Sequence, residues 1–163
     1  MIRKYNQLLC TLSITLLMVL IVSCDPSAKY EREEETKIQN YLNANPSQNF
    51  ELKPSGLYYL DVVVGTGLTP QNLDTAYVWY TIKFLDGQVW DTNVGTTDTL
   101  RFLVNAGVYP AGFEEGVSYM KEGGKALLLT PSKLAYGAAG SYYIPGYTPL
   151  LFDVELIKIK PRK

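Results

Sequence analysis

The chain has 163 residues, 47% of them apolar and 19% charged, which is enough for one domain with a proper core. It contains no histidine and only two cysteines, Cys10 and Cys24, which excludes histidine acid–base chemistry, histidine-ligated metals and cysteine-rich zinc sites. With 15 basic and 16 acidic residues there is no positive excess to hold nucleic acid.

Arg3 and Lys4 precede a run of fifteen mostly apolar residues, Leu8 to Val22. A basic start, an apolar run of this length and a small residue at Ser23 read as a secretory signal. A membrane-spanning helix needs about 20 apolar residues. The end of the run, Ile21-Val22-Ser23-Cys24, resembles the lipobox of bacterial lipoproteins. That resemblance implies a signal over residues 1–23, a lipid on Cys24, and an anchored protein at the cell envelope. The alternative is a plain cleaved signal beside a stray cysteine. Without residues 1–23 the chain carries 13 basic and 16 acidic residues, a net charge of −3.

Residues 24–55 are expected to form a lead to the domain. Asp25 to Lys37 is polar and acidic and reads as a solvated tether. Ile38, Tyr41 and Leu42 then fall at i, i+3 and i+4, the spacing of a short amphipathic helix ended at Pro46.

From Gly56 to the C-terminus the pattern is that of strands. The expected strands are the stretch from Gly56 to Gly67, Ala76 to Leu85, Gln88 to Thr92 after a hairpin turn at Asp86-Gly87, Thr99 to Val104, Lys125 to Pro131 and Leu150 to Lys160. In the last of these, Phe152, Val154 and Leu156 alternate with Asp153 and Glu155, so one face is buried. A helix is expected between Pro110 and Gly123-Gly124, with Phe113, Val117 and Met120 on one face and Glu114 and Glu115 near its positive end. The fold class is therefore α+β: a strongly curled antiparallel sheet of five or six strands around one short helix.

The stretch Ala135 to Pro149, AYGAAGSYYIPGYTP, holds four tyrosines, three glycines and two prolines, with no acid, lysine, cysteine or histidine. Its aromatic surface suits binding, and nothing in it can serve as a nucleophile or metal ligand. Without histidine, hydrolase chemistry would need a Ser/Lys or carboxylate pair, and no spacing proposes one.

Taken together, VWYT, LDGQVWDTN, GFEEGVSYMKEGGKALLLTP, LAYGAAG and IPGYTPLLFDVELIKI resemble the FKBP-type peptidyl-prolyl cis-trans isomerases in order and spacing. The resemblance runs from Gly56 to Lys160 within a domain of residues 56–163, and the whole chain resembles the lipoprotein forms of that family. It implies isomerisation of proline-containing polypeptides by a monomer, without metal or cofactor. It also implies an apolar cleft lined by Tyr80, Trp90, Asp91 and Phe102, floored by Phe113 and completed by Tyr136, Ile144 and Phe152. Tyr136 would donate a hydrogen bond to the substrate carbonyl, and Asp91 would hold Tyr80.

The sequence departs from the family pattern in three places. At the position of a backbone N–H donor stands either Pro110, which has none, or Tyr109, depending on alignment. Phe113 replaces the usual tryptophan. The loop after Gly140 is one residue shorter, and Tyr142, Tyr143 and Tyr147 either extend the rim of the cleft or pack on the loop itself. The main competing functions are a non-catalytic binding module using the same cleft and a purely structural envelope lipoprotein.

Overall fold

The computed structural model describes residues 26–163. The signal over residues 1–23 and the proposed lipid attachment at Cys24 lie outside the described residues. Residues 31–163 form one compact unit.

The first element is not a tether with a short helix but one continuous helix, α1, Pro26–Ala44. The acidic run is helical because parts of it are anchored. Glu34 is buried, and its carboxylate accepts hydrogen bonds from the backbone N–H of Ser132 and, at 2.7 Å, from the Ser132 hydroxyl. Ile38, one turn on, is 1% exposed. No periodicity rule anticipates a buried glutamate, so this half of the helix reads as solvated in the sequence.

Seven strands follow: β1 Glu51–Leu52, β2 Tyr58–Val63, β3 Thr75–Phe84, β4 Val89–Thr92, β5 Leu100–Leu103, β6 Lys125–Thr130 and β7 Leu150–Lys160. The count exceeds expectation by β1, a two-residue strand too short to leave a pattern. All pairings are antiparallel, in the order β1-β2-β6-β7-β3-β4, with β5 also paired to β3. β4 and β5 pair with different stretches of the ten-residue β3, and the sheet is open because β1 at its other end pairs only with β2.

The second helix, α2, is Ala111–Tyr119. It ends before the expected glycine pair, because Met120 turns to an extended conformation and buries its side chain in the core. Two glycines let α2 press onto the sheet. A Cβ on Gly116 would lie 2.4 Å from Leu128 Cδ1, and one on Gly112 would lie 2.5 Å from Thr130 Cγ2. Phe113, Val117, Leu128, Phe152, Val154 and Leu156 join in the main core on this face.

Alternation along β7 is kept by a bulge. Tyr77 faces Lys158 and Val78 faces Leu156, which leaves Ile157 unpaired and partly exposed and returns Ile159 to the buried side. The opposite face of the sheet is also covered: Leu129 and Leu151 pack with Ile38, flanked by Tyr41, Leu42 and Leu127. The sheet thus carries α2 on one face, as expected, and α1 on the other. Among the described residues no helix is long and apolar enough to cross a membrane.

The Glu34–Ser132 contact gives the first prediction. Replacing Glu34 with alanine leaves the buried Ser132 N–H without its acceptor, which costs about 2–3 kcal/mol. Urea unfolding of Glu34→Ala is expected to show that loss, with a smaller one in Glu34→Gln, which keeps an acceptor oxygen.

Candidate active site

Ten residues from both sides of the sheet–helix junction line a cleft of about 100 Å³: Tyr80, Ile82, Trp90, Asp91, Leu100, Tyr109, Pro110, Phe113, Tyr136 and Phe152. Tyr80 and Ile82 come from the inward-facing alternate positions of β3, which Ala76 and Val78 continue into the core. Neighbouring residues of a regular strand point to opposite faces, yet Trp90 and Asp91 both reach the cleft. The cause is a bulge in β4: Ile82 pairs with Asp91 and Lys83 with Val89, leaving Trp90 as the extra residue.

Phe113, 2% exposed, is the floor. Its ring contacts Tyr80 at 6.4 Å edge-on, Phe102 at 5.3 Å, Tyr109 at 6.0 Å and Phe152 at 5.6 Å between centroids. On the other side Trp90 meets Tyr136 edge-on at 5.8 Å. Such aromatic pairs hold one another in place and exclude water.

The polar side chains in this lining are Asp91 and the phenols Tyr80, Tyr109 and Tyr136. The Tyr80 hydroxyl donates to Asp91 Oδ2 at 2.7 Å, and Asp91 Oδ1 accepts the Thr92 N–H at 2.8 Å. Asp91 is therefore held at both oxygens and fixes the Tyr80 ring. The Tyr136 hydroxyl receives no hydrogen bond from, and gives none to, any described residue. Burial, then the nearby Asp91 charge, raises the Tyr136 pKa above the ordinary tyrosine value. The Tyr80 pKa is raised too, by burial first and then by donation to Asp91. Both phenols stay protonated donors at neutral pH.

Residues 67–157 match the model of the FKBP-type peptidyl-prolyl cis-trans isomerase family. The chain belongs to this family. It is 41% identical over 144 residues to the isomerase FkpA of Escherichia coli, and 33% identical to the macrophage infectivity potentiator of Trypanosoma cruzi. These matches cover 86% and 91% of this chain and 53% and 83% of those proteins, so the chain spans about half the length of FkpA. In structure it superposes on crystalline Escherichia coli FkpA with a TM-score of 0.71 at 29% identity, covering 98% of this chain and 73% of that one. A peptidyl-prolyl cis-trans isomerase from Pseudomonas syringae gives 0.70 at 25% identity, covering 85% and 99%.

Against the residues expected from the FKBP pattern, the cleft gathers Tyr80, Trp90, Asp91, Tyr109, Phe113, Tyr136 and Phe152. Phe102 and Ile144 do not line it. Phe102 lies behind the floor, edge-on to Tyr109 at 5.3 Å, and Ile144 is 2% exposed within the main core. Ile144 instead anchors its loop, exchanging backbone hydrogen bonds with Ser141 at 2.9 Å each. Gly146 closes that loop, since a Cβ there would lie 1.9 Å from the Ala138 carbonyl oxygen. Tyr142 and Tyr143 stack edge-on at 4.7 Å and stay exposed, and none of the three loop tyrosines in doubt lines the cleft. Ile82 and Leu100 were not expected there. Ile82 could have been found from the alternation with Tyr80; Leu100 has no sequence signal, because its place depends on how β5 docks on β3.

The ambiguity between Tyr109 and Pro110 resolves in an unexpected way. Pro110 caps α2 and lines the cleft, and it has no N–H. The Tyr109 N–H points elsewhere, donating to Glu114 Oε1 at 2.8 Å. The same buried carboxylate accepts the N–H groups of Val108 at 2.9 Å and Gly107 at 3.0 Å. Neither residue therefore offers a backbone donor to the cleft; the Tyr136 and Tyr109 hydroxyls are side-chain donors there that no described residue engages.

Raised phenol pKa values fix the sign of a pH effect. A group that prefers its neutral form in the fold contributes stability fully below its unfolded value, about 10, and loses it as pH rises toward the folded value. Difference titration of tyrosinate absorbance between wild type and Tyr80→Phe is expected to assign Tyr80 an ionisation above that value. In Asp91→Asn it is expected to move back toward 10.

Proposed function

We propose that this chain is a peptidyl-prolyl cis-trans isomerase acting, as a monomer, on exported polypeptides at the bacterial cell envelope. The observation that carries the reading is an aromatic cleft with the Tyr136 hydroxyl, which no described residue engages, beside Trp90.

The chemistry follows from the peptide bond. Resonance sets a rotational barrier of about 18–20 kcal/mol, and X–Pro bonds exchange over tens to hundreds of seconds. No bond between heavy atoms breaks, so neither nucleophile nor metal is required. The twisted amide has lost its resonance and is less charge-separated than the planar one. Transfer out of water therefore disfavours the ground state more than the twisted state. Phe113, Phe152 and Tyr80 receive the proline ring, and Trp90 closes the side. Tyr136 donates to the substrate carbonyl. Asp91 acts through Tyr80, whose ring it orients, as a positioning residue. In this reading Phe102 and Ile144 support the site from behind.

The missing backbone donor at Tyr109-Pro110 favours a second reading, a binding or chaperone module with weak or no turnover. Exchange of a short Phe-Pro peptide separates the two. Acceleration by the full chain is expected. Tyr136→Phe is expected to lower kcat/KM about tenfold, the worth of one hydrogen bond made in the transition state. Asp91→Ala is expected to lower it by a similar factor through a loosened Tyr80. A folded wild type without acceleration supports the binding module, and unchanged rates in both variants remove the site assignment.

We further infer that Cys24 carries the lipid that anchors the chain, on the strength of the Ile21-Val22-Ser23-Cys24 pattern. Membrane fractionation is expected to find the wild type with membranes and Cys24→Ser released. Retention of the variant would remove the anchor.

A further inference from the structure

A cleft of about 100 Å³ takes little more than one ring, far less than the roughly 300–1,000 Å³ of sites that enclose a whole ligand. The rest of any bound polypeptide must lie outside it, and the surface beside it is not featureless. Trp90 is a wall of both the cleft and a second, open groove of about 1180 Å³. The lining of this groove comes from the β3–β4 turn, with Phe84 and Val89, from the loop carrying Tyr143 and Pro145, and from the last turns of α1, with Lys37, Asn40 and Tyr41.

The groove has the chemistry of a chain-binding surface. Val89 is 50% exposed and Tyr143 is 74% exposed, although both are large and apolar or aromatic. Lys37 and Asp86 are its only charged lining residues. The side-chain amides of Asn40 and Gln88, also in the lining, make no hydrogen bond to any described residue. An extended polypeptide presents side chains to alternate sides and leaves backbone N–H and C=O groups needing partners. Apolar side chains and unengaged amides in one lining match both demands.

We propose that this groove is an extended substrate subsite, holding an apolar, extended stretch of the same polypeptide whose proline sits in the cleft. The inference rests on the isomerase reading and deepens it, because it names the substrate class as unfolded chain with apolar residues flanking the proline. Trp90 makes the two surfaces continuous: as the bulged residue of β4, it stands between the proline cleft and the groove. The groove adds affinity without touching the twisting bond, so its contribution belongs in KM.

The test compares the full-length wild type with Val89→Ser, Tyr143→Ser and the double variant. Both side chains are exposed and lie outside the cleft lining. Two substrates are used: a Phe-Pro tetrapeptide, and an unfolded protein whose refolding is limited by proline isomerisation. Activity on the tetrapeptide is expected to stay within about twofold of wild type. On the unfolded protein, kcat/KM of the double variant is expected to fall about tenfold, through KM. An unchanged rate on the unfolded protein, or an equal loss on both substrates, overturns the subsite. Concentration-dependent self-association of the wild type that Val89→Ser abolishes, measured by sedimentation, gives the groove to a second copy of the chain and also overturns it. A wild type active on the tetrapeptide but insensitive to the groove variants leaves the isomerase reading intact, whereas inactivity on the tetrapeptide removes both.

Discussion

The site depends on how closely α2 can approach the sheet. Gly112 and Gly116 present no side chain to β6, so Thr130 and Leu128 fill the space where a Cβ would collide. That close seat brings Phe113 down among Phe102, Tyr109 and Phe152, where it becomes a rigid floor rather than a surface residue. The same turn of helix carries Glu114 inward, and its carboxylate gathers three successive backbone N–H groups of the preceding loop. Buried N–H groups without partners are costly, so this clasp sets the path of the loop that brings Tyr109 and Pro110 to the cleft. One packing constraint thus shapes the floor and one wall together.

The other walls come from departures from regular strand geometry. A perfect β4 would send Trp90 and Asp91 to opposite faces. The bulge at Trp90 delivers both to the cleft and lets Trp90 look toward the neighbouring groove. Asp91 then spends both oxygens on fixed partners, so the site holds a tethered Tyr80 and an untethered Tyr136. The site therefore combines one phenol fixed by a carboxylate with another that no described residue engages.

Covering the second face of the sheet changes what the N-terminal segment is. Leu127, Leu129 and Leu151 would be exposed if the segment before the domain were a loose lead, and Ile38, Tyr41 and Leu42 bury them instead. Glu34 ties the helix to Ser132, at the start of the short 3-10 turn Ser132–Leu134 that leads directly to Tyr136. The helix is therefore part of the scaffold of the loop that carries the free hydroxyl.

Much of this was legible in the residues alone. Strand composition marked β3, alternation marked β7 and Asp86-Gly87 marked the hairpin, because local pattern and turn chemistry are written at short range; the FKBP resemblance, not periodicity, named Tyr80, Trp90, Asp91, Phe113, Tyr136 and Phe152 together. What the sequence could not express was long-range. The burial of Glu34 depends on a partner 98 residues away, and the withdrawal of Phe102 and Ile144 from the cleft depends on which neighbours reach its surface first. The direction of the Tyr109 N–H depends on Glu114 turning back toward its own loop. The sequence by itself determined the longer strands, the existence of α2 and the aromatic character of the cleft. Only the tertiary structure decided which donors remain free in it, since a hydrogen-bond donor is available to a substrate only when no nearer acceptor in the fold has already taken it.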